Sequence, residues 1–208
     1  MRKSKSPHQS LAYEKRGTIG IVLLIPTAIF IILSHPAVPE GSVLDLATDV
    51  LAWLFFVLYV SLRLWATVYV GGQKDKELQT QGPYSVTRNP LYLGSLCLAF
   101  SITLFFDSLS LLLASCVMGG IYSSWVVGAE ERYLEKKFGE DYRKYCQRTP
   151  RFLPSFSRYH SDPSLQFPLK ALKMEAKRLW GAALIPIFSE IIMHLRMAPW
   201  WPHWFLLP

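Results

Sequence analysis

Charge is scarce in this sequence. Asp, Glu, Lys and Arg make up 18% of its 208 residues while 51% are hydrophobic, against a charged share of about a quarter in soluble domains. The scarcity is uneven: long uncharged blocks alternate with short, strongly charged ones, which excludes an ordinary soluble core and fits a polytopic membrane protein. Cysteine is nearly absent. Cys97 and Cys116 fall in apolar blocks and Cys146 in a charged stretch, with neither disulfide nor metal-ligand spacing, and the five histidines are scattered without a ligand pair. No metal enzyme is expected. Gly71-Gly72 lacks the third glycine, the strand and the acidic partner of a dinucleotide-binding fingerprint, which excludes a soluble-type nucleotide fold. Residues 35–49 contain no Lys or Arg but hold Glu40, Asp45 and Asp49. The net charge is nonetheless +7. Because the basic residues sit beside apolar blocks, they are topology signals and anionic-lipid contacts rather than a nucleic-acid surface. The length suits a single helical bundle.

The apolar blocks set out the expected architecture: all-α, a polytopic bundle with four and possibly five transmembrane helices. A basic segment, residues 1–17, leads into a first span at 18–34. That run is longer than a signal-peptide core, and His35-Pro36-Ala37-Val38-Pro39 is no small-residue cleavage site. A second span at 50–70 carries Arg63, which must face protein, reach the interface or meet an anion. Residues 93–106 and 109–128 form two apolar runs with Asp107-Ser108 between them, the pattern of a tight helical hairpin. A charged helix then continues from Ala129 and is capped by Gly139. Lys and Arg enrich the N-terminus, the loop 71–89 and residues 132–158, so these three segments are expected in the cytosol. Residues 179–195 are apolar but include Pro186, Glu190 and His194, with Trp200, Trp201 and Trp204 beyond. Glu190 at mid-membrane is costly, which favours a helix on the membrane surface over a fifth span. The organisation expected is thus a basic tail at 1–17, a membrane domain at 18–154, and a linker with an amphipathic or inserted helix at 155–208.

Two polar clusters flank the hairpin. One runs Gly82-Pro83-Tyr84-Ser85-Val86-Thr87-Arg88-Asn89-Pro90-Leu91-Tyr92-Leu93-Gly94. The other comprises Glu130-Glu131, Phe138-Gly139-Glu140-Asp141-Tyr142, Tyr145 and Pro150-Arg151-Phe152-Leu153-Pro154. A tight hairpin would set Tyr92 and Glu130 side by side at the membrane–cytosol boundary. In order and spacing the clusters resemble the isoprenylcysteine carboxyl methyltransferase and phospholipid methyltransferase superfamily, whose pattern reads G-x-Y, R-H-P-x-Y-x-G, E-E, F-G-x-x-Y-x-x-Y and a closing proline segment. The resemblance covers residues 64–154. It implies a small helical membrane bundle with a cytosolic pocket for S-adenosylmethionine. It also implies cofactor contacts at Tyr84, Arg88, Asn89, Pro90, Leu91, Tyr92, Glu130 and Tyr142, with weaker candidates at 76–79, and catalytic roles for Glu130, Glu131 and Asn89. Two positions depart from the pattern. Asn89 replaces a histidine, keeping a donor and an acceptor but losing the titration. Val126 stands where the prenylcysteine enzymes carry an arginine for the substrate carboxylate, which argues against that substrate.

The residue chemistry is consistent with the resemblance. S-adenosylmethionine has a sulfonium, an ammonium, ribose hydroxyls and an adenine face; carboxylates accept from the ammonium or hydroxyls, and tyrosine rings meet cationic or flat groups. Methyl transfer is an in-line displacement, so positioning and desolvation dominate. An amine acceptor would need a base, for which Glu130 and Glu131 are nearest. Plainer readings stand beside these. Glu130-Glu131 could open a solvated helix, Asn89-Pro90 is a common helix entry, and Tyr142 and Tyr145 could anchor at the interface. The expected partners are the lipid bilayer and a lipid or small membrane-partitioning acceptor. A non-catalytic scaffold of the same fold and a membrane oxidoreductase remain as alternatives.

Overall fold

The computed structural model describes residues 29–35, 37–71, 77–161 and 168–205. Among them the chain is all-helical, as expected, and no strand forms apart from an isolated bridge between Ser34 and Phe205. The helices are α1 (Val43–Val70), α2 (Pro83–Val86), α3 (Pro90–Phe105), α4 (Leu109–Tyr122), α5 (Gly128–Phe138), α6 (Glu140–Arg148), α7 (Leu169–Ala182) and α8 (Leu184–Arg196). A π-turn, Ser123–Val127, joins α4 to α5, and a 3₁₀ turn, Phe156–Arg158, follows α6. Val43–Val70, Leu109–Phe138 and Leu169–Arg196 are long and apolar enough to cross a membrane, and Pro90–Phe105 is a shorter apolar helix. Most of the expected first span, 18–34, lies outside the described residues.

Two boundaries differ from expectation. The helix expected from residue 50 starts at Val43, so Asp45 and Asp49 are helical rather than part of a loop. The reason is a reciprocal cap: Ser42 Oγ accepts from the Asp45 amide at 3.1 Å, and Asp45 Oδ2 accepts from the Gly41 amide at 2.8 Å. At the other end, the segment expected on the membrane surface belongs to a run of 28 residues, Leu169–Arg196, of spanning length. Only Ala183 interrupts it, where Pro186 deprives the preceding turn of an amide donor.

The chain forms two compact units. The first comprises the described residues of Met1–Ala52, Ile102–Tyr133 and Pro186–Pro208. Its centre is Arg196, fully buried at 0% exposure. The guanidinium donates to Ser34 O through Nε at 3.3 Å and Nη2 at 3.0 Å, and to Phe106 O through Nη1 at 3.1 Å. These bonds fasten the end of α8 to the segment before α1 and to the hairpin tip. The Trp201 indole adds a bond to Ile32 O at 2.8 Å, and the Phe30 and Phe205 rings meet at 4.7 Å. At the tip Asp107 adopts φ 42, and Ser108 caps α4 by accepting from the Leu111 amide at 3.3 Å.

Asp107 is buried, and one carboxylate oxygen has no hydrogen-bond partner. Burial, with Asp45 and Asp49 nearby, pushes its carboxyl up to about 6, against the opposing pull of the Thr48 hydroxyl and Arg196. A raised folded-state pKa means that the folded chain holds the proton more tightly than the unfolded one. The contribution of Asp107 to stability should therefore be greatest below pH 4, fall as pH rises toward 6 and level off above it, by about 3 kcal/mol in all. Asp107→Asn, which tolerates the same positive φ, should flatten that slope in thermal melts from pH 4 to 7. A slope unchanged in the variant would assign the effect to another group.

The second unit comprises the described residues of Trp53–Ser101 and Leu134–Ile185. Its core is Phe56, Tyr59, Cys97, Leu179 and Ala182, where α1, α3 and α7 meet. Arg63 finds its anion here: Nε donates to Glu175 Oε1 at 2.5 Å, with the side chains 17% and 4% exposed. Gly94 lets α3 approach this pair, since a Cβ there would lie 3.3 Å from Arg63 Cγ.

Candidate active site

The first polar cluster folds as a turn, α2 and the entry to α3. Gly82 takes φ 58 and ψ −126, a glycine conformation, and its Cα lies against the Tyr69 ring, leaving no room for a side chain. Pro83 starts α2 and Pro90 starts α3, where a missing amide is tolerated. The Leu93 amide donates to Asn89 O at 3.0 Å, which closes the first turn of α3.

What holds this turn in place is the segment after α6. Residues 150–160 run along it and bond to it repeatedly. The Arg88 amide donates to Pro150 O at 2.9 Å, the Ser155 amide to Val86 O at 3.0 Å and the Gly82 amide to His160 O at 2.8 Å. Thr87 Oγ1 donates to Arg151 O at 3.1 Å, and Asn89 Nδ2 to the same carbonyl at 3.2 Å. From α6 the Tyr145 hydroxyl donates to Tyr84 O at 2.7 Å, and Arg88 Nη1 donates to Cys146 Sγ at 2.9 Å. Burial pushes the Tyr145 phenol above its ordinary range, with Tyr84 and Tyr142 adding to the effect. It stays a neutral donor. Gly139, at φ 56, accepts the left-handed conformation that ends α5 and starts α6.

The candidate residues of this unit divide by environment. Asn89, Pro90 and Tyr142 are buried, the last with its ring 6.0 Å from that of Tyr145. Tyr84, Arg88, Leu91 and Tyr92 are half-buried. Of the weaker candidates at 76–79, residue 76 lies outside the described residues, and Gln79 Nε2 donates to Tyr69 O at 2.6 Å. Glu130 and Glu131 belong to the first unit, half-buried in the first turn of α5. Directly before them lies the π-turn Ser123–Val127. Such turns insert one residue into the helical register and recur at functional sites. This one decides which face of the helix Glu130 and Glu131 occupy. Sequence reasoning passed over the π-turn; of the strap it marked Pro150–Pro154 as a closing proline segment, but not the bonds by which it holds the motif turn. The only local hint of the π-turn is Ser123-Ser124, of which Ser123 Oγ bonds back to Gly120 O at 2.9 Å.

Residues 46–141 match the family described as phospholipid methyltransferase. The superfamily resemblance read from the two clusters is thus borne out over those residues, where the chain is similar to a membrane methyltransferase family. It is 28% identical over 147 residues to the nickel-cobalt-cadmium resistance protein NccN of Alcaligenes xylosoxydans xylosoxydans, covering 70% of this chain and 68% of that protein. It is 33% identical over 100 residues to the cobalt-zinc-cadmium resistance protein CzcN of Cupriavidus metallidurans, covering 48% of this chain and 46% of that one. No solved structure matches the chain.

Proposed function

We propose that this protein is an integral membrane methyltransferase that uses S-adenosylmethionine and acts on a lipid or another membrane-associated acceptor, with the cofactor site and N-terminus on the cytosolic side. The observation that carries the reading is the braced turn at 82–92. Main-chain and side-chain bonds from residues 150–160 immobilise it, while Tyr84, Arg88, Leu91 and Tyr92 stay only half-buried. A rigid backbone with partly open side chains is what positioning a substrate demands.

The donor set fits the cofactor. In the second unit, half-buried Tyr84 and Tyr92 supply ring faces for a cationic or flat group. The family resemblance, rather than the packing, adds Glu130 and Glu131 of the first unit as acceptors for an ammonium and ribose hydroxyls. S-adenosylmethionine, when bound, supplies an activated methyl group. The chain's part is to hold the acceptor atom in line, exclude water, and, for an amine acceptor, take up its proton on Glu130 or Glu131. Asn89 offers no titrating group, and its amide already braces Arg151 O. In this reading it positions the turn.

The relatives' names concern metal resistance. In this reading any share in metal resistance would run through methyl transfer. Purified protein in mixed lipids, given methyl-labelled cofactor, should bind it and transfer label to a lipid-extractable product. Glu130→Gln should weaken binding by about 10- to 100-fold, the worth of one charge-assisted hydrogen bond. Glu135→Gln, which removes only an exposed pair with Arg143, should leave binding unchanged. Absence of both binding and label transfer in the native chain would instead favour a scaffold that keeps the fold without the reaction.

A further inference from the structure

The strap that braces the motif turn has an outer side with its own character. Leu153 is 83% exposed, Phe156 65% and Tyr159 49%. These are large apolar side chains within seven residues of one another. The strap is not a loose loop, because its backbone is bonded to Gly82, Val86 and Arg88. Leu153 and Phe156 are therefore exposed on a fixed frame, while the half-exposed Tyr159 ring leans on Trp65, 6.1 Å between centroids. Single exposed hydrophobes need no explanation, but a contiguous set on a rigid frame marks a contact surface.

The charge along the strap itself has one sign, although Arg143 on α6 is paired with Glu135. From Tyr142 to His160 the chain carries Arg143, Lys144, Arg148, Arg151 and Arg158 and no Asp or Glu. Arg158 lies between Phe156 and Tyr159 and is exposed, as are Arg148, Lys144 and Arg143 on α6. Apolar tips interleaved with cations match a phospholipid headgroup layer, where the ring and aliphatic side chain enter the acyl boundary and the guanidiniums remain among phosphates. The same chain carries helices long enough to cross a bilayer, so such a layer is at hand.

We propose that residues 151–159 form a docking element for the headgroup layer of an anionic membrane, with Leu153 and Phe156 as the inserted groups and Arg148 and Arg158 as the phosphate contacts. This stands independently of the methyl-transfer reading, since it concerns where the strap sits rather than what the turn behind it binds.

The test places the photo-crosslinker benzoylphenylalanine at Leu153, at Phe156 and, as a control, at exposed Glu140, in the full chain reconstituted into nanodiscs. The discs contain phosphatidylcholine alone or with added phosphatidylglycerol, and adducts are read by mass. Lipid adducts should dominate at 153 and 156, exceed those at 140 and rise with phosphatidylglycerol. Arg158→Gln should cut the phosphatidylglycerol-dependent gain by about fivefold, the worth of one cation near an anionic surface. Yields at 153 and 156 no higher than at 140, or adducts to protein alone, would overturn the proposal. The readout requires neither cofactor nor turnover, so a failed activity assay leaves it intact.

Discussion

Glu175→Leu should cost about 3–5 kcal/mol of stability, one of the largest single-site effects expected in this chain. Glu175 is 4% exposed and Arg63, its partner at 2.5 Å, is 17% exposed. Removing the carboxylate leaves a guanidinium that is only 17% exposed, on an apolar helix, without its partner. Arg178 also reaches Glu175, at 3.2 Å, but is 68% exposed, so its share is small and screened. The double variant Arg63→Leu/Glu175→Leu should recover most of the loss, because replacing both ions with apolar groups removes the desolvation penalty along with the attraction. Thermal melting in detergent across the two single variants and the double measures the coupling. A double variant no more stable than Glu175→Leu would mean that the pair is more than a satisfied charge.

That pair illustrates what could and could not be read in advance. Arg63 inside an apolar block announced that it needed a partner, a surface or an anion; which of these it has depends on a residue 112 positions away. The helical class, the hairpin with its tip at Asp107-Ser108 and the cap at Gly139 were legible because each rests on local chemistry: apolar run length, turn residues and a glycine at φ 56. The start of α1 was missed for an equally local reason, since Ser42 and Asp45 form a cap that hydropathy does not register. The motif turn was legible as a cluster of residue types. Its bracing was not, because it is made largely of backbone bonds from residues 150–160, and backbone bonds leave little trace in side-chain identity. Asn89 is the instructive case: as a sequence position it reads as a catalytic substitute for histidine, and in the structure its amide nitrogen donates to Arg151 O.

The bracing can be challenged at a single atom. Gly82→Ala should destabilise the protein by about 3 kcal/mol or more, because two independent penalties coincide. The backbone there has φ 58 and ψ −126, a region open essentially to glycine, at about 1–3 kcal/mol for other residues. The added Cβ would also fall within the ring of Tyr69, whose hydroxyl is tied to Ser161 at 2.7 Å and so resists moving away. Relieving the overlap means displacing Gly82 from His160 O and loosening the strap. Cofactor binding should therefore be lost along with thermal stability. Gly181→Ala is the matched control. Gly181 is helical, and nothing lies within 4 Å of the position its Cβ would take, so the same substitution should be neutral or stabilise by about 0.5–1 kcal/mol. Opposite signs from one chemical change would locate the effect in the turn rather than in the loss of a glycine. If Gly82→Ala melts like the native chain and retains cofactor affinity, the turn is not the rigid element on which the proposed site depends.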